Sequence, residues 1–350
     1  MKKNLFHRLA AVAAAGALVC TLLTGCTQTT EMTTTIFAMD TVMNLTFYAA
    51  GSKSDLQPTL DDMVEQVYAL HNALDVTEEK SELYALNQAQ GTPTPVSTET
   101  AEIIQAALKL CKTTGGTLDI TAYPAVKAWG FPTGAYRVPG GEELSSLAAA
   151  IDYTQVRVDG TSITLPAGME LDLGGVTKGY LGDRLAETLE NAGIQSALLD
   201  LGQSSIQAVG TKPDGTPWRV GIQDPTGESY LGILELTDQA MGTSGSYQRY
   251  FTQAGQVYCH IIDPDTAAPA QSGLASVTVV SSSCLTCDGL STALFVMGAG
   301  EGAQFWRDHP ELDFEALFIT EEGELYLTQG LADSFTLAQG YEDREVTVLS

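Results

Sequence analysis

Basic residues are scarce in this 350-residue chain, which has 17 Lys and Arg against 43 Asp and Glu and a formal net charge of −26. A surface of this charge repels the phosphates of nucleic acids and anionic lipid headgroups, so nucleic-acid binding is disfavoured. The excess of acid suits a protein whose surface is well solvated. The apolar fraction of 44% is sufficient for a packed core.

Cysteine is also scarce, and the spacing of the six cysteines does not fix a disulfide connectivity. Cys284-Leu-Thr-Cys287, together with Cys259 and His260, permits the hypothesis of a zinc or thiol-redox site. The alternative is that these cysteines, with Cys111, are small buried residues of the core. The alternative is simpler, and we favour it.

Long apolar runs are lacking except at the N-terminus, where Leu9 to Leu23 follows a basic start. This run is too short and wrongly flanked for a spanning helix, and it predicts a signal peptide over residues 1–25. The small residues of Leu23-Thr-Gly-Cys26 resemble a bacterial lipobox, in which Cys26 is lipidated with acyl chains such as palmitate. An ordinary cleaved signal or an uncleaved anchor is the alternative.

The residues after Cys26 favour an outward-facing protein attached to the membrane by its lipid. Residues 26–35 are polar, rich in Thr and without apolar periodicity, which predicts a tether. A folded unit is then expected over residues 36–345. Removal of the leader would also remove three basic residues and make the chain still more acidic.

The order of the predicted elements indicates the fold class. Helices are predicted at 56–74, 98–114, 142–151, 176–192, 288–297 and 301–307. Strands or extended segments are predicted at 36–50, 156–158, 163–165, 171–173, 197–201, 206–209, 219–222, 231–236, 257–262, 277–280, 317–320 and 325–327. Because these elements interleave without a βαβ rhythm, we expect an α+β fold with mixed, mainly antiparallel sheets in one compact unit.

The most informative segment runs from Leu171 to Asp183, with the sequence LDLGGVTKGYLGD. It predicts a short strand, a glycine turn and a helix with Lys178 in its first turn. The helix N-terminus would present N–H groups and a positive dipole end to an anion, and Lys178 would add a charge suited to phosphate. Gly174 lets a ligand approach the backbone. A tight connection with an ordinary surface lysine is the alternative.

Four further groups carry polar side chains that could form a site. Asp119 lies in a strand-like run, Thr243 and Ser244 in a predicted loop, His260 in an HIIDP segment, and Asp288 at the start of a predicted helix. A carboxylate, hydroxyls and a backbone carbonyl form a hard oxygen site that suits Mg²⁺ or Ca²⁺. Taken singly, each group is better explained by a turn, a helix cap or a core histidine.

Taken in order, these segments resemble the ApbE family, the FAD:protein FMN transferases. The resemblance covers about residues 36–300. It rests on the following segments: Met39-Asp-Thr41, Ser81-Glu-Leu83 to Asn87, Gly116 to Thr121 with Pro124 and Trp129-Gly-Phe131, Asp172 to Tyr180 with Asp183, Thr243-Ser-Gly245, His260 to Pro264, and Asp288 to Thr292.

The resemblance implies an ApbE-like fold related to the T-fold, with residues 36–345 as the catalytic domain. It implies metal-dependent transfer of FMN from FAD to a Thr or Ser hydroxyl of a target flavoprotein, with release of AMP. The expected cation is Mg²⁺, with Ca²⁺ as the alternative. The expected partner is an exported FMN-binding protein at the extracytoplasmic face of a bacterial membrane. A flavin-binding lipoprotein, or an FAD pyrophosphatase without transfer, remains an alternative.

The resemblance also assigns roles to residues of this sequence. His260 is expected to be the base, and the metal ligands are expected to be the Thr177 carbonyl, Asp288, Ser291 and Thr292. FAD contacts are expected at Met39, Thr117, Leu118, Asp119, Gly174, Lys178, Tyr180, Asp183, Thr243, Ser244 and Ile262.

The chain departs from the family pattern at several positions. Asp40 replaces a glycine, Thr177 replaces an alanine, Gly202-Gln-Ser-Ser205 replaces Gly-Gly-Asn, and Asp75 to Lys80 lacks an aromatic residue. A carbonyl ligand at Thr177 does not depend on the side chain. None of the departures changes Lys178, His260 or Asp288, so activity is expected to survive.

Overall fold

The computed structural model describes residues 29–227 and 229–350. The predicted signal peptide, Cys26 and the first residues of the predicted tether lie outside the described residues. Over the part that is described, no helix combines the length and the apolar character needed to cross a bilayer.

Seven α-helices are present in the described residues. They are α1 (Lys53–Leu74), α2 (Glu82–Asn87), α3 (Thr98–Thr113), α4 (Tyr123–Ala128), α5 (Gly141–Ala148), α6 (Thr177–Asn191) and α7 (Cys284–Asp308). The predicted helices 288–297 and 301–307 are both parts of α7. The backbone of Gly298 leaves helical geometry there (φ 81°, ψ 170°), which explains why the pattern indicated two helices.

The strands follow one another along most of the chain. They are β1 (Thr29–Ala38), β2 (Thr41–Ala50), β3 (Thr94–Pro95), β4 (Arg157–Asp159), β5 (Ser162–Thr164), β6 (Ser196–Asp200), β7 (Ser205–Gly210), β8 (Trp218–Gln223), β9 (Tyr230–Leu236), β10 (Ala240–Gly245), β11 (Tyr250–Gln253), β12 (Gln256–Cys259), β13 (Ile262–Asp263), β14 (Ala268–Pro269), β15 (Leu274–Ser281), β16 (Phe314–Thr320), β17 (Leu325–Thr328), β18 (Phe335–Leu337) and β19 (Val346–Leu349).

A nine-stranded sheet organises the molecule, in the order β1-β2-β6-β7-β10-β15-β16-β17-β19. Its neighbouring strands are antiparallel except for the parallel pair β17 and β19. Two three-stranded sheets, β18-β9-β8 and β3-β5-β4, and the hairpins β11-β12 and β13-β14 complete the strand pairing of the described residues. The predicted α+β class with mainly antiparallel sheets is confirmed.

The end of the predicted tether is part of the sheet. Residues 29–35 lie in β1, which pairs with β2 along its whole length. Met32 and Ile36 are buried on one face, and Thr33 and Thr46 share a hydrogen bond of 3.0 Å between their hydroxyls. The many threonines suggested a polar linker, but their β-branched side chains favour a strand. The predicted boundary between tether and folded unit is therefore wrong, because the described fold already includes Thr29.

Three short segments near the predicted site also differ from expectation. Residues 171–173 are not a strand. There the side chain of Asn87 donates to the carbonyl of Leu171 and accepts from its N–H, at 2.9 and 2.8 Å, as a strand partner would. Residues 117–121 form turns and not a strand, whereas Thr243 and Ser244 lie in β10 and not in a loop.

Helices α6 and α7 pack closely, and this contact places the candidate site. A Cβ atom on Gly179 would lie 2.4 Å from the carbonyl oxygen of Cys284, so only glycine allows this approach. Helix α7 begins at Cys284, where the Ser283 side chain caps it by accepting from the N–H of Thr286. Asp288 therefore lies in the second turn of the helix and not at its start.

Candidate active site

The glycine turn before α6 is held by an aspartate. Oδ1 of Asp172 accepts from the N–H of Gly174 at 2.8 Å, and both Gly174 and Gly175 are exposed. Lys178 follows in the first turn of α6, half-buried and without a salt bridge to any described carboxylate. The predicted arrangement of glycine turn, helix start and lysine is confirmed in its backbone geometry.

The N–H groups of this helix start are less free than the sequence suggested. The N–H of Thr177 donates to the carbonyl of Leu173 at 2.9 Å. The N–H of Gly179 donates to Oδ2 of Asp288 at 2.7 Å. A carboxylate of the protein itself therefore occupies part of the position predicted for an anionic ligand, and the positive end of the helix dipole stabilises its ionised form.

Asp288 is a buried carboxylate without a cationic partner in the described part of the chain. Its second oxygen, Oδ1, accepts from the hydroxyl of Ser205 at 2.6 Å. Burial raises the pKa of Asp288, and the charge of Lys178 and the donors Ser205 and Gly179 act against that rise. A bound cation would supply the positive charge that this buried group lacks.

Two hydroxyls contact the backbone carbonyl of Asp288, and a third hydroxyl contacts them. The Ser244 hydroxyl lies 2.9 Å from that of Ser291 and 3.2 Å from that of Thr292. The hydroxyls of Ser291 and Thr292 donate to the Asp288 carbonyl, at 3.0 and 3.3 Å. A Cβ atom on Gly175 would lie 3.7 Å from the Thr292 hydroxyl, so the glycine turn lies beside these hydroxyls.

The donor set of this cluster consists of oxygens, which fits a hard cation such as Mg²⁺ or Ca²⁺. Three of the residues predicted to bind metal, Asp288, Ser291 and Thr292, lie together, and Ser244 joins them. Thr177 lies in the adjoining helix turn, two residues before the Gly179 N–H that contacts Asp288. Across the described residues, no group of three His, Cys, Asp or Glu side chains could hold a metal ion.

His260 is oriented by the backbone of Arg249. Its N–H donates to the Arg249 carbonyl at 3.0 Å, and its ring Nδ1 lies 3.2 Å from the same oxygen. Because a carbonyl can only accept, Nδ1 carries the ring proton and Nε2 is left as the acceptor. Burial, followed by the charge of Arg249, lowers the pKa of His260 from 6.5 to about 4. The imidazole is therefore neutral near pH 7 and able to accept a proton.

Lys178 links the two parts of the site electrostatically. Burial raises the pKa of Asp172 and Asp288 and lowers that of His260, and the charge of Lys178 acts to lower all three, so the three groups lie within its field. Arg249 acts in the same direction on Asp172 and His260. Arg249 was not among the residues predicted for the site, although it is the one charged residue between Tyr247 and His260.

The other predicted FAD contacts lie in different surroundings. Leu118 lies beside the glycine turn, within 3.8 Å of a Cβ atom placed on Gly175. Ile262 is buried in a cluster that includes Trp129 and Phe131. Met39 and Asp40 form the two-residue turn between β1 and β2. Asp40, which replaces the glycine of the family pattern, has a φ of 58°, in the left-handed region that favours glycine.

Several of these residues already use their polar atoms within the protein. The Thr117 hydroxyl donates to the Thr114 carbonyl at 3.0 Å. The Asp119 carboxylate accepts from Thr121 and from the N–H of Tyr153. The pKa of Asp119 is raised by burial. These bonds hold the turns of residues 117–121 in place, so the two side chains have local structural partners.

Tyr180 and Asp183 on α6 have partners on neighbouring helices. The Tyr180 hydroxyl donates to Glu102 of α3 at 3.2 Å, and burial raises the pKa of Tyr180 to about 12. The Asp183 carboxylate accepts from the Ser283 hydroxyl and from the N–H groups of Cys284 and Leu285, at 2.8, 2.6 and 3.2 Å. Asp183 therefore caps the start of α7, whereas an FAD contact was predicted for it.

Thr243 and Ser244 point to opposite faces of β10, because side chains alternate along a strand. The Thr243 hydroxyl lies 2.9 Å from that of Thr278 on the neighbouring strand. Only Ser244 of this pair joins the hydroxyls around Asp288.

The cysteine environments argue against the zinc or thiol-redox hypothesis. Cys111, Cys259, Cys284 and Cys287 are all free and buried. Burial raises the pKa of Cys259, and it raises the pKa of Cys284 and Cys287 well above the usual value. Reactive or metal-binding thiols require the thiolate form, which these surroundings disfavour.

Several known proteins are similar to this chain over most of its length. The sequence profile of the ApbE family matches residues 39–318. A protein from Vibrio cholerae named FAD:protein FMN transferase is 36% identical over 260 residues, which cover 72% of this chain and 76% of that protein. A protein of the same name from Treponema pallidum is 30% identical over 342 residues, which cover 91% of this chain and 94% of that protein.

Solved structures support the same relationship. The ApbE protein of Thermotoga maritima superimposes with a TM-score of 0.80 at 27% identity, covering 87% of this chain and 99% of that one. The flavin transferase ApbE of Vibrio cholerae gives a TM-score of 0.77 at 28% identity, with the same coverage. The match of sequence profile, relatives and fold over most of the chain shows that this protein belongs to the ApbE family.

Proposed function

We propose that this protein transfers FMN from FAD to a target protein. The observation that carries the proposal is the buried Asp288 carboxylate, which lies at the N-terminus of α6 and within the field of Lys178. The backbone carbonyl of the same residue accepts from the hydroxyls of Ser291 and Thr292, which Ser244 contacts in turn. Relatives named FAD:protein FMN transferase, which align over most of this chain, support the same assignment. The positive charge of Lys178, and of a cation bound by Asp288, would suit the anionic pyrophosphate of FAD.

The proposed metal is Mg²⁺, with Ca²⁺ as the alternative. The Thr177 carbonyl, Asp288, Ser291 and Thr292 would hold it, and their oxygen chemistry fits this choice. When bound, the cation neutralises charge on the pyrophosphate. Lys178 adds a positive charge, and no described carboxylate forms a salt bridge with it.

His260 is the proposed general base toward the acceptor. Its Nε2 takes the proton of a Thr or Ser hydroxyl on the target protein, and that oxygen forms a bond to the FMN phosphorus. The bond from this phosphorus to the bridging oxygen breaks, and AMP leaves with that oxygen. The product is a phosphodiester. General-base catalysis of this kind contributes about 10²–10⁴ in rate.

The proposed location is the extracytoplasmic face of a bacterial membrane, with Cys26 as the lipid anchor. The basic start, the short apolar run and the lipobox-like residues before Cys26 support this part of the proposal. The proposed partner is an exported FMN-binding protein, which would share that side of the membrane.

The test uses the chain from Thr27 onward with FAD, Mg²⁺ and an exported FMN-binding domain that carries an acceptor threonine. AMP is quantified with and without the acceptor, and with and without a chelator. AMP that requires both the metal and the acceptor supports transfer. AMP that forms at the same rate without acceptor indicates an FAD pyrophosphatase, and tight FAD binding without AMP indicates a flavin-binding protein.

A further inference from the structure

Ser205 holds one oxygen of the Asp288 carboxylate from a strand that lies far away in the sequence. Its hydroxyl donates to Oδ1 at 2.6 Å, while the N–H of Gly179 donates to Oδ2 at 2.7 Å. The two donors come from β7 and α6. The plane of the carboxylate is therefore fixed by two hydrogen bonds from separate elements.

The Ser205 donor is itself rigidly placed. Ser205 is fully buried at the first position of β7, where it pairs with Gly242 of β10. Its carbonyl accepts from the N–H of Leu201 at 2.9 Å. The turn before it is closed by Asp200, whose Oδ1 accepts from the N–H of Gln203 at 2.6 Å. A donor fixed on both sides in this way loses little entropy when it holds a neighbouring group.

Close packing of α7 on β10 brings the two residues together. A Cβ atom on Gly242 would lie 2.6 Å from the carbonyl carbon of Cys287, so the strand can approach the helix only with glycine at this position. Gly242 is the register partner of Ser205 and Cys287 precedes Asp288, so the same contact sets the distance between the serine hydroxyl and the carboxylate.

Both donors to Asp288 are neutral, so they do not compete with a cation for the charge of the carboxylate. A lysine or arginine at either position would neutralise the carboxylate and compete with a metal ion. A hydroxyl and a backbone N–H orient the carboxylate but leave its negative charge available. Donors that orient a ligand in this way typically change metal affinity by about 10–100-fold when they are removed.

From this geometry we propose that Ser205 is a positioning residue, which holds the Asp288 carboxylate in the orientation that binds the divalent cation. The proposal rests on the proposed function, because it takes Asp288 as a metal ligand. Ser205 belongs to the segment Gly202-Gln-Ser-Ser205, in which this chain departs from the family's Gly-Gly-Asn. Ser205, the last residue of this segment, supplies a hydroxyl donor to the site.

The test compares Ser205→Ala with Ser281→Ala. Ser281 is also a buried serine whose hydroxyl donates to one acceptor, the Asp313 carbonyl at 3.1 Å. Mn²⁺ serves as the probe, and its dissociation constant is measured by electron paramagnetic resonance in the absence of FAD. We expect Ser205→Ala to weaken Mn²⁺ binding by about 10–100-fold. Ser281→Ala should leave it unchanged, and both variants should lose similar thermal stability.

A kinetic measurement separates positioning from a general structural effect. In Ser205→Ala the Mg²⁺ concentration for half-maximal FMN transfer should rise, while kcat at saturating Mg²⁺ stays near wild type. Ser205→Thr keeps the hydroxyl and should restore much of the Mn²⁺ affinity. Mn²⁺ binding to Ser205→Ala at the wild-type affinity, or an unchanged Mg²⁺ requirement, would overturn the proposal.

The same data distinguish this proposal from the proposed function. If Asp288→Asn abolishes Mn²⁺ binding and Ser205→Ala does not affect it, only the role of Ser205 is wrong. If wild type and Asp288→Asn bind Mn²⁺ equally, Asp288 is not a metal ligand, and both the metal assignment and the role of Ser205 are wrong.

Discussion

The N–H of Gly179 donates to Oδ2 of Asp288 at 2.7 Å, and this bond joins the first turn of α6 to the second turn of α7. The two residues are 109 positions apart in the chain. The bond places a carboxylate at the positive end of a helix dipole, which favours its ionised form. The same bond places that carboxylate beside Lys178, next in sequence to Gly179, and therefore defines the centre of the candidate site.

Buried Asp288 and half-buried Asp183 both lie on the contact between α6 and α7, but we expect their variants to differ. Asp288→Asn should abolish measurable Mg²⁺ binding with little loss of stability, because removal of a buried charge offsets the altered hydrogen bonds. Asp183→Asn should leave an N–H at the start of α7 without its acceptor and lower the free energy of unfolding by about 1–3 kcal/mol. Calorimetric Mg²⁺ titration and denaturant unfolding measure the two effects, and the reverse pattern would exchange the two assigned roles.

His260→Ala should lower the rate of FMN transfer by about 10²–10⁴ and leave FAD binding near wild type. His309 provides the control, because its Nδ1 also lies beside a backbone carbonyl, that of Phe305 at 3.0 Å, but at the end of α7. His309→Ala should transfer FMN at the wild-type rate. Single-turnover transfer and FAD fluorescence titration measure the two quantities. A normal rate for His260→Ala would remove His260 from the base role.

The pKa of His260 predicts how the site responds to pH. Because the pKa is lowered to about 4, His260 should remain neutral down to about that pH, well below the 6.5 of an ordinary histidine. The unfolded chain binds this proton at higher pH, so His260 should make the fold less stable as the pH falls from 6.5 towards 4. Histidine ring signals in an NMR titration measure the pKa directly, with His260→Ala for assignment.

Arg249 gives a second test of the same pKa. Arg249→Gln removes a positive charge that lowers the pKa of His260, but it keeps the backbone carbonyl that holds the ring. The titration midpoint of His260 should therefore move upward. A midpoint near 6.5 in the wild-type protein would contradict the burial that the structure assigns to this ring.

The start of the folded region can be tested by truncation. A chain that begins at Ile36, the predicted boundary, lacks most of β1, including buried Met32. Burial of one such side chain contributes about 1.5–3 kcal/mol, and the lost strand pairing adds to this. Thermal unfolding should therefore show a lower midpoint for this chain than for one that begins at Thr29. Equal midpoints would show that residues 29–35 act as a tether after all.

The sequence predicted those features that depend on local periodicity. Apolar spacing placed α1, α3 and α6 to within a few residues, and the glycine turn before Lys178 was found from its residues alone. Thr243 and Ser244 were predicted together, but their alternation along β10 separates them, and that alternation could be seen only once the segment was known to be a strand.

The features that were missed depend on contacts between distant parts of the chain. Ser205 meets Asp288 across 83 positions, and Asn87 replaces a strand partner for Leu171 across 84. Neither pair has a local pattern that could reveal it. Thr29 to Thr35 was misjudged for a different reason, because threonine is common in both polar linkers and strands, and only the pairing with β2 decides between them.

The most direct test of the account is the intact mass of an exported FMN-binding acceptor after incubation with this protein, FAD and Mg²⁺. The account predicts a mass gain equal to one FMN, which disappears when the acceptor threonine is replaced by valine or when the metal is chelated. An acceptor that keeps its original mass, while the protein binds FAD and Mg²⁺, would contradict FMN transfer as the function of this site.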